Sequence, residues 1–164
     1  MISHTQTALG DYKVYFVSME LGDVYKFTLD NPLREQHLHQ SNMVVSGSLL
    51  SAIKEYSIVA KAGESPKFYP RAGLTPFSVG DVVNYSATEP TCFACVVHAL
   101  KSPIKFEAVT VQETLLLDSG ALVISTGNCT VNGVETLAGV PILATEGSFL
   151  TAPANTKIGI FSLA

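Results

Sequence analysis

The chain has no tryptophan, only three cysteines and three methionines, and a charged fraction of just 15%. Each shortage excludes something. Three thiols cannot pair completely, and no cationic stretch followed by an apolar one opens the sequence. The expectation is therefore free cysteines in a reducing, cytoplasmic setting, not a disulfide framework. Ten lysines and arginines stand against fourteen acidic residues, for a net charge of -4, and they gather into no basic stripe. The footprint that neutralises phosphates is missing, so no nucleic-acid partner is expected. No apolar run approaches the roughly 20 residues of a membrane-crossing helix, so no membrane partner is expected either. No window of helical length shows a clean 3.6-residue period. At 47% hydrophobic residues the chain is too apolar to be disordered. So little charge on so apolar a chain predicts that further copies cover part of the surface, as in a homo-oligomer.

What is present is a long series of strand signals. Tyr12 to Val17 and Asp23 to Leu29 are rich in aromatic and β-branched residues. Met43 to Ile53 reads as one long strand or two short ones, with Gly47 at a bend or bulge. Tyr56 to Ala60, Asp81 to Tyr85, Cys92 to Leu100 and Ile104 to Val111 follow. The second half adds Thr114 to Leu117, Leu122 to Ser125, Cys129 to Val131, Ile142 to Ala144, Phe149 to Thr151 and Ile158 to Leu163. Turn residues separate these runs. Asn132-Gly133 is the sharpest hairpin signal, because both central positions of a type I′ turn need φ > 0. The best helical window, Leu49 to Ile58, is rich in serine and β-branched residues. Lys61 to Pro76 is the longest irregular stretch and holds Pro66, Pro70 and Pro76; its readings are a lid, a packed strap or a solvent loop. Many short strands with regular turns predict an all-β sandwich or barrel.

The two halves also echo one another. Val45-Ser46-Gly47-Ser48-Leu49, Gly80-Asp81 and Glu89-Pro90-Thr91 in the first have loose counterparts in the second. These are Ser125-Thr126-Gly127-Asn128-Cys129, Leu137-Ala138-Gly139 and Ala152-Pro153-Ala154-Asn155-Thr156. In this plan a strand ends at glycine, a hairpin follows, and a proline turn precedes the last strand. It resembles the cupin family over most of residues 35 to 164. The resemblance implies a cupin-like double-stranded β-sandwich or barrel (a jelly roll) with two related halves, residues 1–100 and 101–164, sharing the same core. It also implies a site that binds a small molecule, often through a divalent metal.

Cupins usually place two histidines and a glutamate around the first strand pair, and a third histidine in the second motif. Here His37 and His39 supply the His-x-His. Met43 and Val44 stand where the glutamate belongs, and Gly47 follows His39 too soon. Cys92 or Phe93 occupies the place of the third histidine. With Gly47 laid over Gly127, the second-half counterparts of the two histidines are Leu117 and Ser119, which form no metal set.

Glu35, His37 and His39 lie at i, i+2 and i+4, and so share one face of a strand. Imidazole and carboxylate suit Zn, Fe, Mn or Ni. Alternate residues of one strand are about 6–7 Å apart, so a further ligand from another strand must complete such a site, with His98 or Cys92 as candidates. The bland reading of the same three residues is a solvated face beside Arg34 and Gln36. Cys92 and His98 share a face of their own strand, as ligands, as a nucleophile pair, or as a buried thiol and a satisfied histidine. Ser46, Ser48 and Ser51 are strand serines with no triad partners, and no phosphate loop, dinucleotide fingerprint or nucleophile elbow appears. Two functions follow from this pattern. The first is a cupin-like protein binding a small molecule, with a divalent metal at His37 and His39. The alternative is a non-catalytic oligomeric β module, such as a structural, virion or partner-binding protein. Whether catalysis occurs is left open by the sequence, and no catalytic residue is assigned.

Overall fold

The structure, a computed structural model, describes residues 1–28, 40–66, 78, 80–100, 102 and 104–163. The first half supplies β1 (Ser3–Leu9), β2 (Tyr12–Met19), β3 (Val24–Thr28), β4 (Gln40–Ser46), β5 (Ser48–Ile53), β6 (Tyr56–Lys61), β7 (Val82–Ala87) and β8 (Thr91–His98). The second supplies β9 (Ile104–Val111), β10 (Thr114–Leu116), β11 (Leu122–Ser125), β12 (Cys129–Val131), β13 (Val134–Thr136), β14 (Ile142–Leu143), β15 (Phe149–Thr151) and β16 (Thr156–Leu163). Among the described residues there is no helix. The helical window Leu49 to Ile58 is instead the hairpin β5–β6. Alternation decides the matter, since Leu49, Ser51 and Ile53 are buried while Ser48, Leu50 and Ala52 are less so.

The strands form four antiparallel sheets. Sheet A runs β1-β2-β8-β4, sheet B β3-β7-β5-β6, sheet C β14-β11-β16-β9 and sheet D β10-β15-β12-β13. In the second half the pairs β9–β16, β10–β15, β11–β14 and β12–β13 nest from the outside inward, as in one long hairpin rolled over on itself. The first half repeats this plan. β2–β8, β3–β7 and β5–β6 correspond to β9–β16, β10–β15 and β12–β13, and the cross-pairs β4–β8 and β5–β7 correspond to β11–β16 and β12–β15. The register matches as well as the order. β2 pairs β8 from Tyr12↔His98 to Met19↔Thr91, and β9 pairs β16 over the same length, from Ile104↔Leu163 to Val111↔Thr156. β1 extends sheet A beyond β2 and has no counterpart in the second half.

The turns repeat too. In Glu20-Leu21-Gly22-Asp23, Ser78-Val79-Gly80-Asp81 and Thr145-Glu146-Gly147-Ser148 the fourth amide donates to the first carbonyl, at 3.0 Å, 3.1 Å and 3.1 Å. The fourth side chain accepts the first residue's N–H, at 2.9 Å, 2.7 Å and 3.0 Å. Lys61-Ala62-Gly63-Glu64 does the same at 2.9 Å and 2.7 Å. The third residue of each has φ between 74° and 94°, which glycine reaches without steric cost. Gly47 marks the corner between β4 and β5. A Cβ there would strike the Pro90 carbonyl and come within 2.7 Å of Thr91 Cα.

Three apolar clusters hold these layers together. One lies between sheets A and B, with Val17, Met19, Val44, Leu49, Ile53, Val83, Tyr85 and Phe93. Another lies inside the second half, with Val111, Val123, Cys129, Val131, Leu150 and Ile158. The third joins the halves and combines Tyr12, Val14, Met43, Ala94 and Val96 of sheet A with Leu122, Ile124 and Phe161 of sheet C. Strands β4 and β8 of sheet A are thus buried on both faces.

At the centre of that joint, Ala94 and Gly159 occupy corresponding positions on β8 and β16. A Cβ on Gly159 would collide with Met43 Sδ and come within 2.9 Å of Phe106 Cε1. Gly159→Ala is expected to lower the unfolding free energy by about 1–3 kcal/mol through overpacking. Combined with Met43→Ala, it is expected to cost less than the sum of the two single changes, read by urea unfolding of all four members of a double-mutant cycle.

The turn before β7 carries a pH dependence. The Ser78 amide, helped by Lys54 at 3.1 Å, holds the Asp81 carboxyl below its ordinary value of 3.8. Its stabilisation is full above about pH 4 and is lost as pH falls through the depressed value. Asp81→Ser copies the turn at Ser148, whose hydroxyl does not titrate. The variant is expected to show a smaller loss of stability between pH 7 and pH 3 than the wild type, measured by urea midpoints at both.

Candidate functional site

A barrel interior is built from alternate residues of each strand, so the inward faces follow from the clusters. Val44 on β4 lies in the first-half core, so Asn42 shares its face. Leu49 and Ile53 place Ser51 on the inward face of β5, Phe93 places Cys95 inward on β8, and Val17 places Tyr15 inward on β2. Tyr85 is itself a core residue, and Tyr25 packs against that core.

The pairing assembles these residues into two rungs. In sheet A, Gln6↔Tyr15, Tyr15↔Cys95 and Cys95↔Asn42 form one continuous line. In sheet B, Tyr25↔Tyr85, Tyr85↔Ser51 and Ser51↔Ile58 form another. Asn42 stands five residues before the Gly47 corner and Ser51 four after it, on opposite walls of the same interior. Phe93 meets Tyr85 edge-on at 5.5 Å and Tyr25 at 6.2 Å between ring centroids. A polar level therefore crosses the apolar cluster of the first half.

Two atoms at this level stand out. Asn42 is 3% exposed and Ser51 0% exposed. Asn42 Oδ1 and Ser51 Oγ have no hydrogen-bond partner among the described residues. A buried polar group left unsatisfied costs about 1–3 kcal/mol. The second half shows what the fold needs without that cost. The matching registers put Val123, Cys129 and Ala152 at the positions of Asn42, Ser51 and Tyr85. Val123 and Cys129 are buried members of the second core, and Ala152 packs against it.

Of the sequence-predicted ligands, Glu35, His37 and His39 lie outside the described residues. The strand ends that their segment joins, Thr28 and Gln40, belong to this first-half barrel; Thr28 pairs with Val82 and Gln40 with Val97. His98 is 7% exposed at the end of β8. Its Nδ1 accepts the Leu100 N–H at 3.2 Å, and its ring meets Tyr12 edge-on at 5.5 Å. Cys92 and His98 do share a face, and it is the face of Ala94 and Val96, toward sheet C. Burial pushes the Cys92 thiol up, with a Ser18 hydrogen bond opposing, and burial likewise raises Cys129 against a Ser125 hydrogen bond. Both thiols stay protonated at neutral pH, which makes them poor nucleophiles. Among the described residues no group of three His, Cys, Asp or Glu side chains is placed to hold a metal.

Asn42, Ser51, Tyr25, Tyr85 and Cys95 were not singled out from the sequence as a site. The available signal was comparative. Asn42 and Ser51 interrupt strands whose counterparts, Leu122–Ser125 and Cys129–Val131, carry apolar residues at the matching places. An open cleft of about 570 Å³ lies in the second half, lined by Asn128, Cys129, Thr130, Glu135, Thr151 and Pro153 among others. The Thr130 and Thr151 hydroxyls bond to each other across it.

No protein-family model matches the chain, and no curated protein matches it in sequence. Solved structures do match in shape. HutD from Pseudomonas fluorescens SBW25 superposes with a TM-score of 0.59 at 11% identity, over 98% of this chain and 86% of that one. A Cupin 2 conserved barrel domain protein from Leptotrichia buccalis gives 0.56 at 8% identity, over 100% and 89%. YhaK from Escherichia coli gives 0.53 at 10% identity, over 98% and 93%. Nested antiparallel pairs, repeated in register within one polypeptide and shared in shape with a cupin barrel protein, give this chain the all-β cupin fold.

Proposed function

We propose that this cupin-like protein binds a small molecule inside its first-half barrel, where two buried polar atoms lack partners among the described residues. The observation that carries this reading is that Asn42 Oδ1 and Ser51 Oγ have no partner among the described residues, set against Val123 and Cys129 at the same places in the other half. Both halves share one backbone plan, so the polar residues are not required by the fold. A divalent metal held by His37 and His39, with Glu35 as a further ligand, is the second part of the proposal. Its support is the donor chemistry of the three residues and the connection that carries them, which joins Thr28 and Gln40 of that barrel. Low charge supports a homo-oligomer, and three cysteines outside any disulfide support a reducing, cytoplasmic setting.

A second reading, the non-catalytic β module that assembles with copies or partners, draws support from sheet D. Leu116 and Phe149 lie directly opposite each other and are 79% and 41% exposed. Their neighbours Leu115 and Leu150 turn inward, so the exposed pair faces away from the core.

Metal content of the purified protein tests the metal. Near-stoichiometric Zn, Fe, Mn or Ni that His37→Ala/His39→Ala loses is the expected result; none in either protein removes the metal and leaves the barrel reading standing. Stability tests the barrel. Ser51→Ala deletes an unsatisfied hydroxyl and is expected to raise the unfolding free energy by about 1 kcal/mol. A loss of stability would mean that the hydroxyl is already satisfied, and the reading would lose its main support.

A further inference from the structure

We propose that the outer edge of β1 docks a second copy of this chain, the two β1 strands pairing antiparallel about a two-fold axis at Gln6. This rests on the homo-oligomer reading above and names the surface. β1 has no counterpart in the second half, so the repeated plan does not call for it. Ser3 to Ala8 are all exposed, so the strand hides little apolar surface on its own account. It is nevertheless held in place. Ile2 packs on the first-half core, His4 meets Tyr25 at 6.0 Å between ring centroids, and Leu9 packs on the joint between the halves. Among the described residues only β2 pairs with it.

An open strand edge is a template for another strand, and proteins blunt theirs with charge, proline, brevity or a cover. The other sheet edges among the described residues are blunted in these ways. β10, β13 and β14 have only two or three residues each. β3 carries Lys26, β6 carries Lys61, and β9 carries Lys105 and Glu107. β4 is covered by the turn after β6, where the Val44 N–H donates to the Glu64 carbonyl at 2.9 Å and the Gly63 N–H donates to the Val44 carbonyl at 2.8 Å. β1 has none of these devices. Ser3-His4-Thr5-Gln6-Thr7-Ala8-Leu9 contains no lysine, arginine, aspartate, glutamate or proline.

The register fixes how two copies can meet. Leu9 and Tyr12 flank the two-residue loop Gly10-Asp11 and so exchange backbone hydrogen bonds. Such pairs alternate along an antiparallel ladder, so Ser3, Thr5, Thr7 and Leu9 point their N–H and C=O groups at β2. His4, Gln6 and Ala8 point theirs outward. An antiparallel copy centred on Gln6 uses all three. Gln6 then pairs with Gln6 of the second copy and His4 with its Ala8, for about six backbone hydrogen bonds. The strand suits itself as a partner. A glutamine amide both donates and accepts, so the two Gln6 side chains complement each other. Thr5 stands opposite Thr7 of the second copy, a favourable cross-strand pair. The chain's net charge is -4, yet none of its Asp or Glu lies on this strand, so like copies meet without repulsion at the seam. A seam of seven residues a side is well under the roughly 20–30 of a standard interface, so the dimer is a weak one that dissociates in about the micromolar range.

Sedimentation of the full-length protein, free of any N-terminal tag, tests this across that range. The wild type is expected to dimerise. Gln6→Pro removes an outward N–H that β2 does not use, and Gln6→Lys sets two like charges opposite each other. Each is expected to weaken the dimer by about tenfold or more, with little change in melting temperature. Gln6→Lys carries the test if Gln6→Pro does not fold. Gln6→Cys is expected to cross-link the dimer on mild oxidation, because paired Cα atoms lie about 5.5 Å apart. Ala8→Cys, about 14 Å from the same residue of the second copy, is not. A dimer that the Gln6 variants leave intact, or that Ala8→Cys cross-links as readily as Gln6→Cys, overturns the β1 seam and leaves the homo-oligomer standing. A dimer lost in Leu116→Ser/Phe149→Ser but kept in Gln6→Lys moves the seam to sheet D and overturns this one. A wild type that stays monomeric to millimolar concentration overturns the seam and the homo-oligomer together.

Discussion

The close approach of sheets A and C is the contact on which the rest of the structure depends. Each half alone is a small rolled sheet with one face to hide, and the joint hides both at once. It works in part because Gly159 on β16 leaves room for Met43 and Phe106, whose atoms a Cβ there would strike. Met43, Leu122, Ile124 and Phe161 then fill the space around it and are wholly buried. A larger residue at Gly159 would push Met43 and Phe106 apart, and the strain would pass into both barrels.

That joint changes what the middle strands require of their sequence. β8 buries both faces, Phe93 toward one core and Ala94 and Val96 toward another. It therefore reads as a nearly continuous apolar run and not as an alternation. The same holds for Met43 and Val44, adjacent residues that belong to different clusters. Strands on the outer sheets, such as β5, keep the simple alternation of one buried face.

Strand positions were largely legible from the residues. Ile104–Val111, Leu122–Ser125, Cys129–Val131 and Phe149–Thr151 are where β-branched and aromatic runs place them, and the bend at Gly47 is a true corner between two strands. Asn132 and Gly133, at φ 52° and 80°, form the turn that their side chains predict. β1 was not visible, because Ser3–Leu9 is exposed along nearly its whole length and carries Ser, Thr and Gln where a pattern would need apolar residues. β13 was missed for the same reason, since Val134 and Glu135 both face solvent. The polar level was harder still. Asparagine and serine in a strand are ordinary residues, and they become informative only once the inward face is known. On a strand buried from both sides, composition cannot show which face that is. Glu35, His37 and His39 drew attention by residue type, whereas Asn42 and Ser51 matter by position.

Duplication explains how such a level can persist. A lone barrel with unsatisfied polar atoms at its centre would give up a large fraction of the 5–15 kcal/mol or so that separates folded from unfolded chains. Here the second half is apolar at the places of three of these residues, with Val123 for Asn42, Cys129 for Ser51 and Ala152 for Tyr85, and it is joined to the first through an apolar layer. The stable half and the joint can carry the strained half, provided the two unfold together. The shared layer makes that so, because Met43, Ala94 and Val96 lose their partners if sheet C leaves, and Leu122, Ile124 and Phe161 lose theirs if sheet A does. Asn42 and Ser51 thus cost stability that the shared backbone plan does not require, and that cost is the ground of the ligand proposed for this barrel.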